Sequence, residues 1–219
     1  MNSPILQLVV LAGIAIFLIL RLRSVLGTRD GFEAPPEPKQ MGQSGPKRDF
    51  EVIEGGPDRD ITDHVPEDSP AAGALAKMKA EEPSFSVTEF LSGARGAYEM
   101  ILMGFETGDL APIKPFLADD VYEAFAGVVE AREKQGLTVE AEFLGVRETA
   151  LNDAQFDDAT KTAEITVRFV GELKSAVRDA AGDIVEGEDG KVKRQKDIWT
   201  FERRMGVNDP NWQLVATGE

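Results

Sequence analysis

Cysteine is absent from the 219 residues, and histidine occurs once, at His64. The first absence excludes disulfides and thiolate metal sites. The second removes histidine-activated nucleophiles and histidine-cluster metal sites from any ordered part of the chain, because His64 lies in an Asp-, Pro- and Gly-rich stretch that reads as linker. Positive charge is also scarce, with 24 Lys and Arg against 39 Asp and Glu for a formal net charge of −15. From Ser84 to Glu219 the balance is 15 to 26, a net charge of −11. Such a domain repels nucleic acid and anionic lipid surfaces at long range, so no DNA partner is expected.

Charge is missing altogether between Ile5 and Leu20, an apolar run that includes Leu11 and Phe17. At helical rise these residues cover roughly 24 Å of a hydrocarbon core about 30 Å thick. Leu22, Val25 and Leu26 extend the apolar face, and Arg21 and Arg23 reach the headgroups with their long stems. The spacing therefore predicts a spanning helix from Ile5 to Leu26 within an anchor of residues 1–27. A cleaved export signal carries its positive charge before the apolar run; here Arg21, Arg23 and Arg29 follow it. Arginines stay on the cytoplasmic side, which predicts a single pass with the N-terminus outside and the rest inside.

Residues 28–83 read as a disordered acidic linker. Pro35, Pro36, Pro38, Pro46, Pro57, Pro66, Pro70 and Pro83 recur among Gly, Asp and Glu, with no sustained period and little apolar surface to offset the entropy of ordering. Its reach is on the order of 40 Å. Two islands stand out: Phe50, Val52 and Ile53, and the stretch Ala71 to Lys79, where Leu75 and Met78 favour a transient helix.

A folded α+β domain is expected over residues 84–219. Ser86 with Glu89 three residues later forms a capping box. Phe90, Leu91, Ala94, Ala97, Tyr98, Ile101, Leu102 and Phe105 then follow helical spacing to Thr107. Gly108 stops this helix, Pro112 and Pro115 bracket a short turn, and Asp119 or Asp120 caps a second helix ending near Gly136. The period then changes to two. Leu137 to Val146 makes a strand with a bulge at Leu144-Gly145, Ala163 to Phe169 a second, Val192 to Met205 a third, and Trp212 to Ala216 the last. Helices followed by an antiparallel meander give helices packed on one face of a curved sheet, a cone with an interior.

Within this domain no catalytic residue, metal site or cofactor is expected. Asp119-Asp120 reads as a cap and Asp157-Asp158 as a turn. The loop Asp179, Asp183, Glu186, Glu188, Asp189 lacks the oxygen spacing and closing glutamate of a calcium site. The run Lys191, Lys193, Arg194, Lys196 offers a phosphate contact, from RNA or lipid, but is expected to pair with the acidic loop across the same hairpin. Aromatics are the better binding candidates. Tyr98, Phe105, Phe116, Tyr122, Phe125, Trp199, Phe201 and Trp212 are expected to face one another across the cone, either as core or as the lining of an apolar pocket.

Several stretches in order resemble one family: Leu20 to Arg29, Phe90-Leu91-Ser92-Gly93-Ala94-Arg95-Gly96-Ala97-Tyr98-Glu99, Gly108-Asp109-Leu110, Val121-Tyr122-Glu123-Ala124-Phe125 and Trp212-Gln213-Leu214. Together they resemble the Tim44-like family, and within it the alphaproteobacterial members. The resemblance implies a cone of the nuclear-transport-factor-two-like, or cystatin-like, type. It also implies a non-enzymatic adaptor of the bacterial inner membrane that binds a protein partner or emerging polypeptide, with chaperone or translocation machinery as the family's usual company. A small apolar ligand or lipid in the cone, and a ribosome-membrane tether, are the alternatives. By the same resemblance Phe85 to Phe105 would face lipid.

Overall fold

The structure, a computed structural model, describes residues 56–218. The expected anchor, with Ile5, Leu11, Phe17, Leu20, Arg21 and Arg23, lies outside the described residues. Among the described residues no helix is long and apolar enough to cross a membrane.

Among the described residues the first element begins at Arg59, ahead of the expected start at Ser84. Helix α1 (Arg59–Thr62) is capped by Asp58, whose carboxylate accepts from the Asp60 N–H. Helix α2 (Pro70–Glu81) is capped by the Ser69 hydroxyl, which accepts from the Ala72 N–H at 3.1 Å. Proline suits the first turn, where its missing N–H would have had no partner, so Pro70 starts a helix that its composition disguised as linker. Ala71, Leu75 and Met78 recur at spacings of four and three, and Leu75 and Met78 are completely buried. The expectation of disorder is therefore corrected over residues 56–83, which belong to the compact unit Gly55–Glu219. What appeared too sparse to order is a short apolar stripe of small residues that packs on a sheet supplied by later sequence.

Helix α3 (Val87–Thr107) forms as its period predicts. Ser86 accepts from the Glu89 N–H at 3.3 Å, and the helix ends at Gly108 with φ of 78°, a left-handed conformation that costs glycine nothing. A 3-10 turn (Lys114–Phe116) follows where the two prolines place it. Helix α4 (Asp119–Lys134) differs in one respect. Its N-cap is Ala118 without a side-chain bond, and Asp119 and Asp120 occupy the first turn, where their charge complements the positive end of the helix.

Four strands form one antiparallel meander in the order β1 (Thr138–Asp157), β2 (Thr162–Arg178), β3 (Ile184–Arg204), β4 (Gln213–Gly218). Register shifts at Phe143/Gly145, Val146/Glu148 and Leu151/Asp153 bend β1, the first of them at the expected bulge. Asp157 closes the first hairpin by accepting from the Ala159 and Thr160 N–H groups. Strand β3 begins earlier than expected: Ile184, Glu186 and Gly187, in the stretch read as an acidic loop, pair with Arg178, Val177 and Ala176, and the register then shifts before Val192 pairs with Lys174. Alternation sorts the faces. Ala163, Ile165, Val167 and Phe169 are completely buried beneath the helices, joined by Trp199 and Phe201. The opposite face carries cross-strand ion pairs, Glu140 with Arg178, Glu142 with Lys174 and Glu148 with Arg168.

Candidate functional site: an aromatic groove beside helix α3

The eight aromatics expected to share one pocket divide into four groups. Tyr98 and Trp199 lie in a closed core: Tyr98 stacks on Phe169 at 4.5 Å between ring centroids and meets Trp199 at 4.8 Å. The Tyr98 hydroxyl donates to Asp197 Oδ2 at 2.5 Å, and Gln195 donates to the other oxygen at 3.0 Å. Burial, then the hydrogen bond to Asp197, pushes the Tyr98 phenol well above its ordinary value. Gly171 admits this ring, since a Cβ there would stand 2.8 Å from the Tyr98 oxygen. Phe105 and Phe125 pair with each other at 4.5 Å beneath the Arg132 guanidinium, and Tyr122 lies under Lys114. Phe116, Phe201 and Trp212 line a groove of about 360 Å³.

That groove runs between the first half of α3, the 3-10 turn and the β3–β4 connection. Helical spacing aims Phe90, Ala94, Ala97 and Ile101 into it, and Gly93 with the two alanines leaves the wall low. Phe90 and Trp212 meet at 4.7 Å, with Phe85 6.0 Å from Trp212 and Phe201 6.0 Å from Phe90. Alternation along β3 puts Arg203 on the same buried face as Trp199 and Phe201, where it is 7% exposed. Its Nη2 donates to Glu82 Oε1 at 2.7 Å and to the Met205 sulfur at 3.2 Å, and its guanidinium carbon lies 5.2 Å from the Trp212 ring centre. Burial pushes the Glu82 carboxyl up. The bonds from Arg203 and from the Gly206 N–H outweigh it and hold the group below the usual carboxylate range.

The start of α3, whose Ser86 lines the groove, is held by residues that sequence reasoning assigned to linker. Asp60 Oδ2 accepts from the Val87 N–H at 2.8 Å and Oδ1 from the Thr88 N–H at 3.0 Å, so α1 caps α3 across 27 and 28 residues. Lys79 bridges Asp60 at 2.8 Å and Asp58 at 2.7 Å. Burial acts to raise the Asp60 carboxyl. Lys79, the Thr88 hydroxyl and the two backbone donors win, holding it far below its ordinary value. Phe85 and Phe90 were expected on the helix but not in the pocket, and Arg203 and Glu82 were missed altogether. Period-two alternation from Trp199 through Phe201 was the available signal for Arg203; Glu82 offered none.

Elsewhere the described residues hold less. No three carboxylate or histidine side chains gather to hold a metal among them. Asp179 spends one carboxylate oxygen on its own turn, accepting from the Ala181 and Asp183 N–H groups. Lys191 pairs with Glu188 at 2.5 Å and Arg194 with Glu172 at 3.1 Å, so two of the four basic residues meet carboxylates within the same hairpin.

Comparison with known proteins places this architecture. No curated protein matches the chain. Solved structures do match in 37 chains. One is the crystal structure of the intermembrane space region of the chloroplast protein ARC6, at 10% identity and a TM-score of 0.35, covering 57% of this chain and 94% of that one. The model of the Tim44-like domain matches residues 71–219, a span that opens inside α2 and runs through the whole sheet. The chain belongs to the Tim44-like domain family.

Proposed function

We propose that this protein is a non-enzymatic adaptor, anchored in a bacterial inner membrane by Ile5 to Leu26 with its C-terminal domain in the cytoplasm, and that the domain holds a protein partner or emerging polypeptide close to the bilayer. The family is membrane-associated, and its domain suits a scaffold. The observation that carries the reading is the groove, where Trp212, Phe85 and Phe90 line an opening backed by Arg203. Aromatic and arginine side chains of this kind dominate the binding energy of protein interfaces. The anchor supports the same reading, since a tether raises the effective concentration of an acidic domain that an anionic leaflet would otherwise repel.

A photoreactive residue in place of Ala97, in the full chain and in its own membranes, tests the proposal. Expected is a discrete protein adduct that disappears with Trp212→Ala and is absent when the same group replaces Glu142 on the opposite sheet face. Equal adducts from both faces, or none from Ala97, would overturn it.

A further inference from the structure

Unused main-chain groups collect at the edges of a sheet, and the two edges of this one differ. Strand β1 is interrupted by three register shifts, a bulged edge of the kind that resists further pairing. On the other side β4 pairs with β3 only from Ile198 to Glu202. Ahead of that stretch, Val192 to Lys196 pairs with Lys174 to Val170 in unbroken register, and among the described residues no strand lies along its other side. Alternate residues of an antiparallel strand turn N–H and C=O away from the neighbour already paired, so this edge holds donors and acceptors for a further chain. It is also open to solvent. Val192 keeps 49% of its surface exposed, and Lys193, Arg194 and Lys196 are exposed beside it.

Charge decides which chain fits. In a domain of net charge −11, Val192 to Lys196 carries three cations and no carboxylate. The carboxylates nearby are engaged: Glu188 with Lys191, Asp189 with Arg178, Glu148 with Arg168, and Glu172 with both Arg147 and Arg194. Asp197, next along β3, accepts from Tyr98 and Gln195. Among the described residues Lys193 and Lys196 enter none of these pairs. Lysine on an edge keeps neutral and basic strands away, a usual protection against aggregation. The same charges admit an acidic strand, because opposite charges facing across a strand pair contribute about 0.2–1 kcal/mol each. Nucleic acid and anionic headgroups bring negative charge but no main chain of alternating donors and acceptors, and the net charge of the domain repels both. Alternation then orders the fit. Val192, Arg194 and Lys196 share the face of Lys174, Glu172 and Val170, while Lys193 and Gln195 take the other. A chain laid antiparallel meets Lys196, Gln195, Arg194, Lys193 and Val192 in turn, which suits acidic, polar, acidic, acidic and apolar residues.

We propose that the β3 edge from Val192 to Lys196 is a second interaction surface, which takes an acidic, extended segment of a partner protein as an added antiparallel strand. None of these five residues lines the aromatic groove. The full chain in phosphatidylcholine nanodiscs is titrated with the peptide acetyl-Val-Glu-Thr-Glu-Glu-Val-Thr-amide. Expected is saturable binding that slows amide hydrogen exchange at Val192 to Lys196. Replacing both free lysines, Lys193→Glu with Lys196→Glu, should weaken it about tenfold, through two lost pairs and the repulsion that takes their place. Two further peptides, N-methylated at the even or at the odd positions, keep the charge of the first. One should bind and the other should not, because only one edge of an added strand pairs with β3. Equal behaviour of these two peptides, unchanged exchange at the edge, or equal affinity in the double variant overturns the proposal. If the double variant does not fold, the methylated pair decides in the unmodified chain. Tighter binding of a uridine oligomer or of phosphatidylglycerol vesicles than of the peptide makes the edge a phosphate contact and overturns it too. The Ala97 adduct reports on the groove and not on this edge, so the two proposals fail separately.

Discussion

Two aromatic clusters lie on the same face of one sheet, and they are built alike. Around Tyr98, Phe169 and Trp199 pack against a polar pair, Tyr98 with Asp197. Around Trp212, Phe85 and Phe90 pack against another, Arg203 with Glu82. The first cluster is closed: Tyr98 and Phe169 have no exposed surface, and Asp197 accepts from two named donors. The second is open on one side, Trp212 is half-buried and one donor of Arg203 is left over. Residue type does not separate core from site here. What separates them is whether a helix covers the ring, because α3 lays Tyr98 flat on β2 but leaves the groove wall between Phe90 and Ile101 to the small Gly93, Ala94 and Ala97.

The largest effect should come from the closed cluster. Phe169→Ala is expected to cost about 3–5 kcal/mol in denaturant unfolding, since the void left among fully buried neighbours cannot collapse. Trp212→Ala should cost only about 1–2 kcal/mol, because less of its surface leaves water on folding, while abolishing the Ala97 adduct. Comparable losses from the two substitutions would break the distinction between core and groove.

The next effect concerns what holds the start of α3. Asp60→Ala should cost about 1–2 kcal/mol, the usual loss for a helix cap. It should also change the acid limb. The folded-state value of Asp60 is depressed, so between it and the ordinary value of about 4 the unfolded chain binds more protons. The contribution of Asp60 is therefore complete above pH ~4 and lost as pH falls through the folded value. Unfolding midpoints measured from pH 6 down to pH 2 should fall less steeply in the variant than in the parent, and parallel limbs would show that Asp60 does not cap α3.

Least should happen on the opposite sheet face. Glu142→Ala removes a 2.8 Å pair with Lys174 whose carboxylate is 64% exposed, and the loss should stay below about 0.5 kcal/mol. A larger cost would mean that the cross-strand ion pairs act as a coupled network and that the outer face is more than a solvated surface.

Legibility followed the range of the interactions. Ser86 and Gly108 bound α3 by contacts within a few residues, and the apolar period between them has one solution. Asp157 likewise turns its hairpin by bonding N–H groups two and three residues on. In contrast, Pro70 and the alanines of α2 carried a helix start and a buried stripe, but their acidic, proline-rich setting outweighed a signal only three apolar positions long. The stretch Ile184 to Gly187 failed for a related reason. Charged and glycine residues look like loop until a neighbouring strand pairs with their backbone, which any side chain permits.

Residue spacing set the α+β order and the faces of α3 and of the strands, because backbone geometry converts spacing directly into direction. Which aromatics are covered was settled by tertiary packing. It alone brought Asp197 to Tyr98 across 99 residues and Glu82 to Arg203 across 121. Spacing says which way a side chain points; burial depends on what arrives above it, and that is set by packing between segments far apart in the chain.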